Sequence, residues 1–207
     1  MGLRPFFSEG FFKFCVNSIK RGINKVKEAE MITFEKVCPK NFDQVIHLEM
    51  AEDQVGFMEN NLYSLAEAKV FDYLEARAIY REEDLIGFIL YYFQPYGVKR
   101  EMGPGEGDHE IHADGQDYVY LKRIMLDKSF QGRGWGREAL KESLDFFKEA
   151  YPSIAFVELM HYKDNDTGAS LYESLGFEST GEERKTLRPG TLDQYDVEEV
   201  RRMYYSS

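Results

Sequence analysis

Gln131-Gly132-Arg133-Gly134-Trp135-Gly136 is the stretch on which the fold turns. Its three glycines alternate with longer side chains, directly after a near-continuous apolar strand, Tyr118 to Leu126, and directly before a helix with the apolar face Leu140, Leu144, Phe147 and Tyr151. Glycines let backbone approach a ligand closely, and a helix start leaves unpaired N–H groups at the positive end of the helix dipole. The result is an anion cradle suited to a pyrophosphate. The spacing departs from the dinucleotide fingerprint, whose third glycine comes three residues after the second, and no Walker lysine followed by Ser or Thr is present. A glycine turn also serves plain strand-to-helix packing, so alone it carries no function.

Downstream, Pro152 stops the helix, a strand runs from Ile154 to His161, and Asp164-Asn165 opens a short helix that ends at Gly176. Strand, glycine turn, helix and strand predict a crossover between parallel strands. Upstream, Met31 to Val37 reads as a strand, and Asn41 caps a helix with Phe42, Val45 and Ile46 on one face. Ser64-Leu65-Ala66-Glu67 reads as a capping box opening a second helix. Arg77 to Tyr80 and Leu85 to Phe93, around Glu82-Glu83-Asp84, predict an antiparallel hairpin. Residues 94 to 117, with two prolines, five glycines and six acids, predict a long loop. The tail from Glu178 is highly charged, and Asp196 to Tyr205 reads equally as strand or helix.

Composition narrows the classes. The 207 residues carry a net charge of -11, which repels phosphate backbones and argues against nucleic acid, while 43% hydrophobic and 15% aromatic residues suffice for a sizeable core. Two cysteines, Cys15 and Cys38, cannot form a disulfide framework, and no run reaches the roughly 20 apolar residues of a membrane span. A soluble, cytoplasmic protein is expected. Residues 1 to 30 differ from the rest, with six basic against three acidic residues on a helical period. They read as a basic amphipathic extension before a domain covering residues 31–207, either a bare extension or a helix that docks on a membrane surface or a protein.

From Leu121 to Phe177 the order of parts resembles the GNAT superfamily of acyl-CoA-dependent N-acetyltransferases. Gln131-x-x-Gly134-x-Gly136 is similar to its cofactor signature, and Asn165, Leu171-Tyr172 and Gly176-Phe177 to its second half; Gly168 departs from it, where Ala is common. The resemblance implies an α/β (α+β) fold, a mixed, mostly antiparallel sheet flanked by helices and splayed between the strands ending at Leu126 and near His161. It also implies acetyl-CoA as co-substrate and no metal. By the same resemblance the backbone of Ile124, Met125 and Leu126 would hold the pantetheine arm and acetyl carbonyl. Gln131, Gly132, Arg133, Gly134, Trp135, Gly136 and Arg137 would surround the pyrophosphate, with Asn165 either on the cofactor or capping its helix. Tyr172 takes the position of a general acid, its hydroxyl protonated at neutral pH with an ordinary pKa near ~10; the plain alternative is a core tyrosine.

Residues 49 to 68, with Glu49, Gln54, Phe57, Asn60, Ser64-Leu65 and Glu67-Ala68, more loosely resemble the front end of bacterial spermine/spermidine (diamine) N-acetyltransferases. A polycationic amine suits an acidic body and an aromatic mouth, and Glu49, Glu52, Asp53 and Glu59 are the expected contacts. Where many polyamine acetyltransferases carry a carboxylate on the central strand, this chain has Lys122 followed by Arg123. Glu158, His161 or a water chain are the substitute proton acceptors. His109 and His112 in the acidic loop are a weak metal pair. Acetylation of a protein or peptide amine, and a non-catalytic CoA-sensing or partner-binding domain, stand as alternatives, and a homodimer is left open.

Overall fold

The computed structural model describes residues 32–99 and 115–206. The basic head of residues 1 to 30 and the pair His109 and His112 lie outside them. One sheet orders its strands β1-β2-β3-β4-β5-β7-β6. They are β1 (Ile32–Lys36), β2 (Glu75–Arg81), β3 (Asp84–Gln94), β4 (Tyr118–Leu126), β5 (Phe156–Tyr162), β6 (Glu178–Leu187) and β7 (Tyr195–Tyr204). β4 and β5 run parallel and the other neighbours antiparallel. Helices α1 (Phe42–Ile46) and α2 (Asn61–Val70) lie between β1 and β2, α3 (Trp135–Ala150) joins β4 to β5, and α4 (Asp166–Glu173) leads to β6. This is the mixed, mostly antiparallel sheet flanked by helices expected above, with the apolar β4 at its centre.

Two apolar layers follow from strand alternation. On one face Ile79, Ile89, Tyr91, Val119 and Leu121 pack with Ala139, Leu140, Leu144 and Phe147 of α3. On the other, Ala78, Phe88, Leu90, Tyr92 and Tyr120 pack with Val45 of α1. Leu171 and Tyr172 bring α4 onto the α3 face.

One local expectation needs correction, and one reading left open resolves. Ser64 does not cap α2: Asn60 does, its Oδ1 accepting the Tyr63 N–H at 2.8 Å. Ser64 sits inside the helix, donating its hydroxyl to the Asn60 carbonyl at 3.0 Å, and Glu67 points away to β4. The charged tail is two strands, because its charges meet partners across the sheet. Arg184 on β6 and Arg202 on β7 both reach Glu158 on β5, at 2.9 and 2.8 Å.

Candidate active site

β4 and β5 pair from Tyr118↔Phe156 only as far as Leu121↔Leu159. The β3 pairing then steps from Tyr91↔Leu121 to Leu90↔Arg123, so Lys122 is an extra, bulged residue. A bulge bends its strand and sharpens the local twist, and here it coincides with the end of pairing. Beyond it Ile124, Met125 and Leu126 stay paired with β3 but leave their other edge open to the gap. Gly87 on β3 permits this approach: a Cβ there would stand 2.3 Å from the Met125 carbonyl oxygen.

Two cavities occupy the gap. One, of about 340 Å³, is lined by Ile124, Met125, Leu126, Gln131, Gly132, Gly134, Gly136 and Arg137, and by Asn165, Gly168 and Tyr172 across from them. The other, of about 180 Å³, is lined on the far side by Glu59, Glu67, Lys122, Arg123, His161 and Glu198, among others. Phe57, Met58, Ile124, Asn165 and Tyr172 line both, so the two cavities meet there.

The first cavity has the features of an anion and pantetheine site. Gly134 is the N-cap of α3 with φ +82°, and no side chain caps the first turn, so the leading N–H groups face the cavity mouth. Nothing lies within 4 Å of the Cβ positions of Gly132, Gly134 or Gly136, which leaves open room for a diphosphate. Arg137 adds positive charge while binding the α4 end, donating from Nη2 to the Ser174 carbonyl at 3.2 Å. Arg133 and Trp135 stand beside the cradle and are not among its lining residues; the Arg133 guanidinium lies 5.1 Å from the centre of the Trp135 ring. Gln131 braces the turn, since its Nε2 donates to the Leu126 carbonyl and to Gln54 Oε1, both at 2.9 Å, and so locks the strand end in place. Asn165 caps α4, its Oδ1 accepting the Gly168 N–H at 2.9 Å. A Cβ at residue 168 would lie 2.6 Å from Asn165 Nδ2, so glycine at that position makes room for this cap.

Tyr172 stands where the cavities join, its ring 5.7 Å from that of His161. Burial pushes its hydroxyl up to about 12, with Glu198 adding to the rise and Arg201 opposing it. The phenol therefore carries its proton throughout the neutral range.

The acceptor side differs from the expected acidic mouth. Glu49 is exposed and paired with Lys128, and Glu52 and Asp53 sit exposed on a 3₁₀ turn; none of the three lines either cavity. Glu59 does line the second cavity and accepts the Gly190 N–H at 2.8 Å, tying the β6–β7 turn to the mouth. Glu67 meets Lys122 at 2.9 Å and also Arg123. Burial alone would raise this carboxyl, but the two cations outweigh it and hold Glu67 below its usual range. Glu158 is fully buried between two guanidiniums and lines neither cavity. His161 Nε2 accepts from Arg201 Nε at 2.7 Å. An arginine only donates, so the other ring nitrogen holds the proton and donates to the Tyr162 carbonyl at 2.8 Å.

The residue missed at the sequence level is Glu198. It lines the second cavity, accepts the Thr186 hydroxyl at 3.0 Å and stands opposite Tyr162 across the β5–β7 pairing. No sequence signal marks it, since it is one acid among many in a charged tail.

Known proteins share this fold. A spermine/spermidine N(1)-acetyltransferase of Bacillus subtilis is 28% identical over 151 residues, covering 73% of this chain and 90% of that one. The ribosomal-protein-S18-alanine N-acetyltransferase of Escherichia coli superposes with a TM-score of 0.56 at 18% identity, over 86% of this chain and 96% of that one. NAA60 of Arabidopsis thaliana, solved in complex with acetyl-CoA, gives a TM-score of 0.56 at 13% identity, over 84% of this chain and all of that one. The acetyltransferase (GNAT) family model matches residues 42–177, from the start of α1 through the splayed strands to the end of α4's turn. A match over that span, more than half of the chain, makes this protein a member of the GNAT family and an N-acetyltransferase.

Proposed function

We propose that the protein transfers the acetyl group of acetyl-CoA to the primary amine of a polyamine or similar small cation by direct attack, both substrates being bound together. The observation that carries this reading is the meeting of the two cavities at Ile124 and Tyr172. When bound, the coenzyme offers an acetyl thioester. The chain's part is to orient and to move protons. The open edge of Ile124, Met125 and Leu126 aligns the arm as a missing strand would. The α3 N-terminus and Arg137 hold the diphosphate, and Asn165 and Gly168 form the opposite wall. Holding two reactants in this geometry replaces a bimolecular encounter with a near-unimolecular one. Tyr172 lies on the thiol side. A coenzyme thiol has an ordinary pKa near ~8.5, so a phenol at about 12 stabilises the departing thiolate chiefly by donating a hydrogen bond.

Support for a polyamine comes from the spermine/spermidine relative and from the carboxylates Glu59 and Glu198 on the acceptor cavity. A second reading, acetylation of a peptide amine, is favoured by Lys122 and Arg123 on the same wall, since these cations repel a second ammonium and suit an acceptor that also bears a carboxylate.

The test is release of free thiol from acetyl-CoA in the presence of spermidine, spermine, simple monoamines and peptides with free N-termini. Spermidine or spermine should give the highest kcat/KM. Reaction with peptides alone would replace the polyamine by a peptide, and coenzyme binding without acceleration by any amine would leave a CoA-binding domain.

A further inference from the structure

An alkylammonium holds its proton up to pH ~10, so an acceptor for that proton is needed at neutral pH. The strand position expected to provide one carries Lys122, and the two named substitutes are engaged elsewhere, Glu158 by Arg184 and Arg202, His161 by Arg201 and the Tyr162 carbonyl. Among the described residues, three carboxylates line the acceptor cavity. Glu67 is neutralised by Lys122 and Arg123, and Glu59 accepts a backbone N–H at the rim. Glu198 accepts the Thr186 hydroxyl from β6 and has Tyr162 of β5 as its cross-strand neighbour, while Arg123 and Lys122 act on it less than burial and these hydroxyls do. Hydroxyls can fix a carboxylate in place without cancelling its charge.

We propose that Glu198 is the proton acceptor for the incoming amine, held in position by Thr186 and Tyr162. The inference rests on the amine-acceptor reading given above. In the step, an N–H bond of the ammonium breaks and its proton passes to the Glu198 carboxylate. The electron pair left on nitrogen forms the C–N bond to the acetyl carbon as the C–S bond breaks. The thiolate leaves hydrogen-bonded to the Tyr172 hydroxyl, the second proton that nitrogen sheds passes to solvent, and Glu198 returns its own to solvent.

The surroundings of Glu198 set the pH dependence. Tyr120, Lys122 and Arg123 face it from β4, Tyr162 from β5, Tyr172 from α4 and Thr186 from β6, with Glu67 of α2 on the same cavity. Burial raises the carboxyl above its ordinary value, and the hydroxyls of Thr186 and Tyr162 and the charges of Arg123 and Lys122 only partly offset that. Activity should therefore rise with pH as this one group ionises.

The experiment is kcat and KM against pH for thiol release with spermidine, using the full chain. Glu198→Gln is expected to lower kcat about 100-fold at pH 7 and to lose the acid limb, its residual rate climbing instead toward the amine's own pKa near ~10. Thr186→Val removes a donor that favours the charged form, so its acid limb should move to higher pH with the plateau retained. Glu198→Gln with wild-type kcat and a raised KM would make Glu198 a binding carboxylate and overturn the proposal, as would an unmoved limb in Thr186→Val. The second variant decides the matter if the first does not fold. Wild-type protein that acetylates peptides with no acid limb, or no amine at all, would overturn the reading of the acceptor itself.

Discussion

The Lys122 ammonium stands 2.9 Å from the Glu67 carboxylate, with the two side chains only 8% and 10% exposed. Lys122 is the bulged residue of β4, so the bend that opens the sheet also delivers a cation to α2, where Glu67 receives it together with Arg123. Removing one member of a buried pair strands the other charge, at a cost of about 3–5 kcal/mol. Glu67→Gln should lower the unfolding free energy by about that amount, read as a fall in the urea midpoint at constant slope. A loss under ~1 kcal/mol would mean that water reaches the pair.

Lys122 should also leave a signature in stability against pH. Burial, together with the neighbouring Arg123 charge, lowers its pKa to about 8 against the opposing pull of Glu67 and Glu198. The folded value lies below the ordinary 10.5, so between the two the unfolded chain binds more protons and stability climbs with pH. Measured as the difference from Lys122→Met, which cancels the other titrations, the rise should be on the order of 3 kcal/mol from pH 8 to 10.5. A flat difference would contradict the burial of this ammonium.

Tyr172→Phe removes a hydroxyl from the junction of the two cavities and leaves the packing of the ring. The expected result is a kcat lower by about 100-fold or more, with acetyl-CoA affinity within about twofold of wild type. Unchanged kcat would take the phenol out of the mechanism.

Gly136→Asp separates stability from coenzyme binding. No heavy atom lies within 4 Å of the Cβ position, so the side chain is accommodated. A carboxylate in the first turn of α3 stabilises the helix by about 0.3–1 kcal/mol, yet it would face the diphosphate at the proposed site. Thermal stability should hold or rise slightly while acetyl-CoA affinity falls at least ~10-fold, less so in high salt. Equal affinity in calorimetry would place the diphosphate elsewhere.

The glycine turn and the α4 cap of the candidate site were legible in the sequence because they are local. The glycine run dictates a left-handed turn at the start of α3, and the seven residues from Asn165 to Tyr172 place cap and phenol two turns apart on α4. Apolar β4, the hairpin β2–β3 and the stop at Pro152 were readable for the same reason. Short-range sterics and hydrogen bonding settle such features within one crossover unit.

The acceptor half was not legible, because a charge takes its role from partners far along the chain. Glu49, Glu52 and Asp53 looked like amine contacts and lie outside both cavities; Glu158 looked like a base and is closed off by two arginines. Glu198 is distinguished from the other tail acids by its burial on the second cavity beside Thr186 and Tyr162, which β6 and β5 bring alongside β7. The sequence by itself determined where the backbone bends and where it leaves N–H groups open. Strand register and burial alone decided which carboxylates meet cations and which line the second cavity, since those depend on desolvation and on neighbours that only the folded sheet supplies.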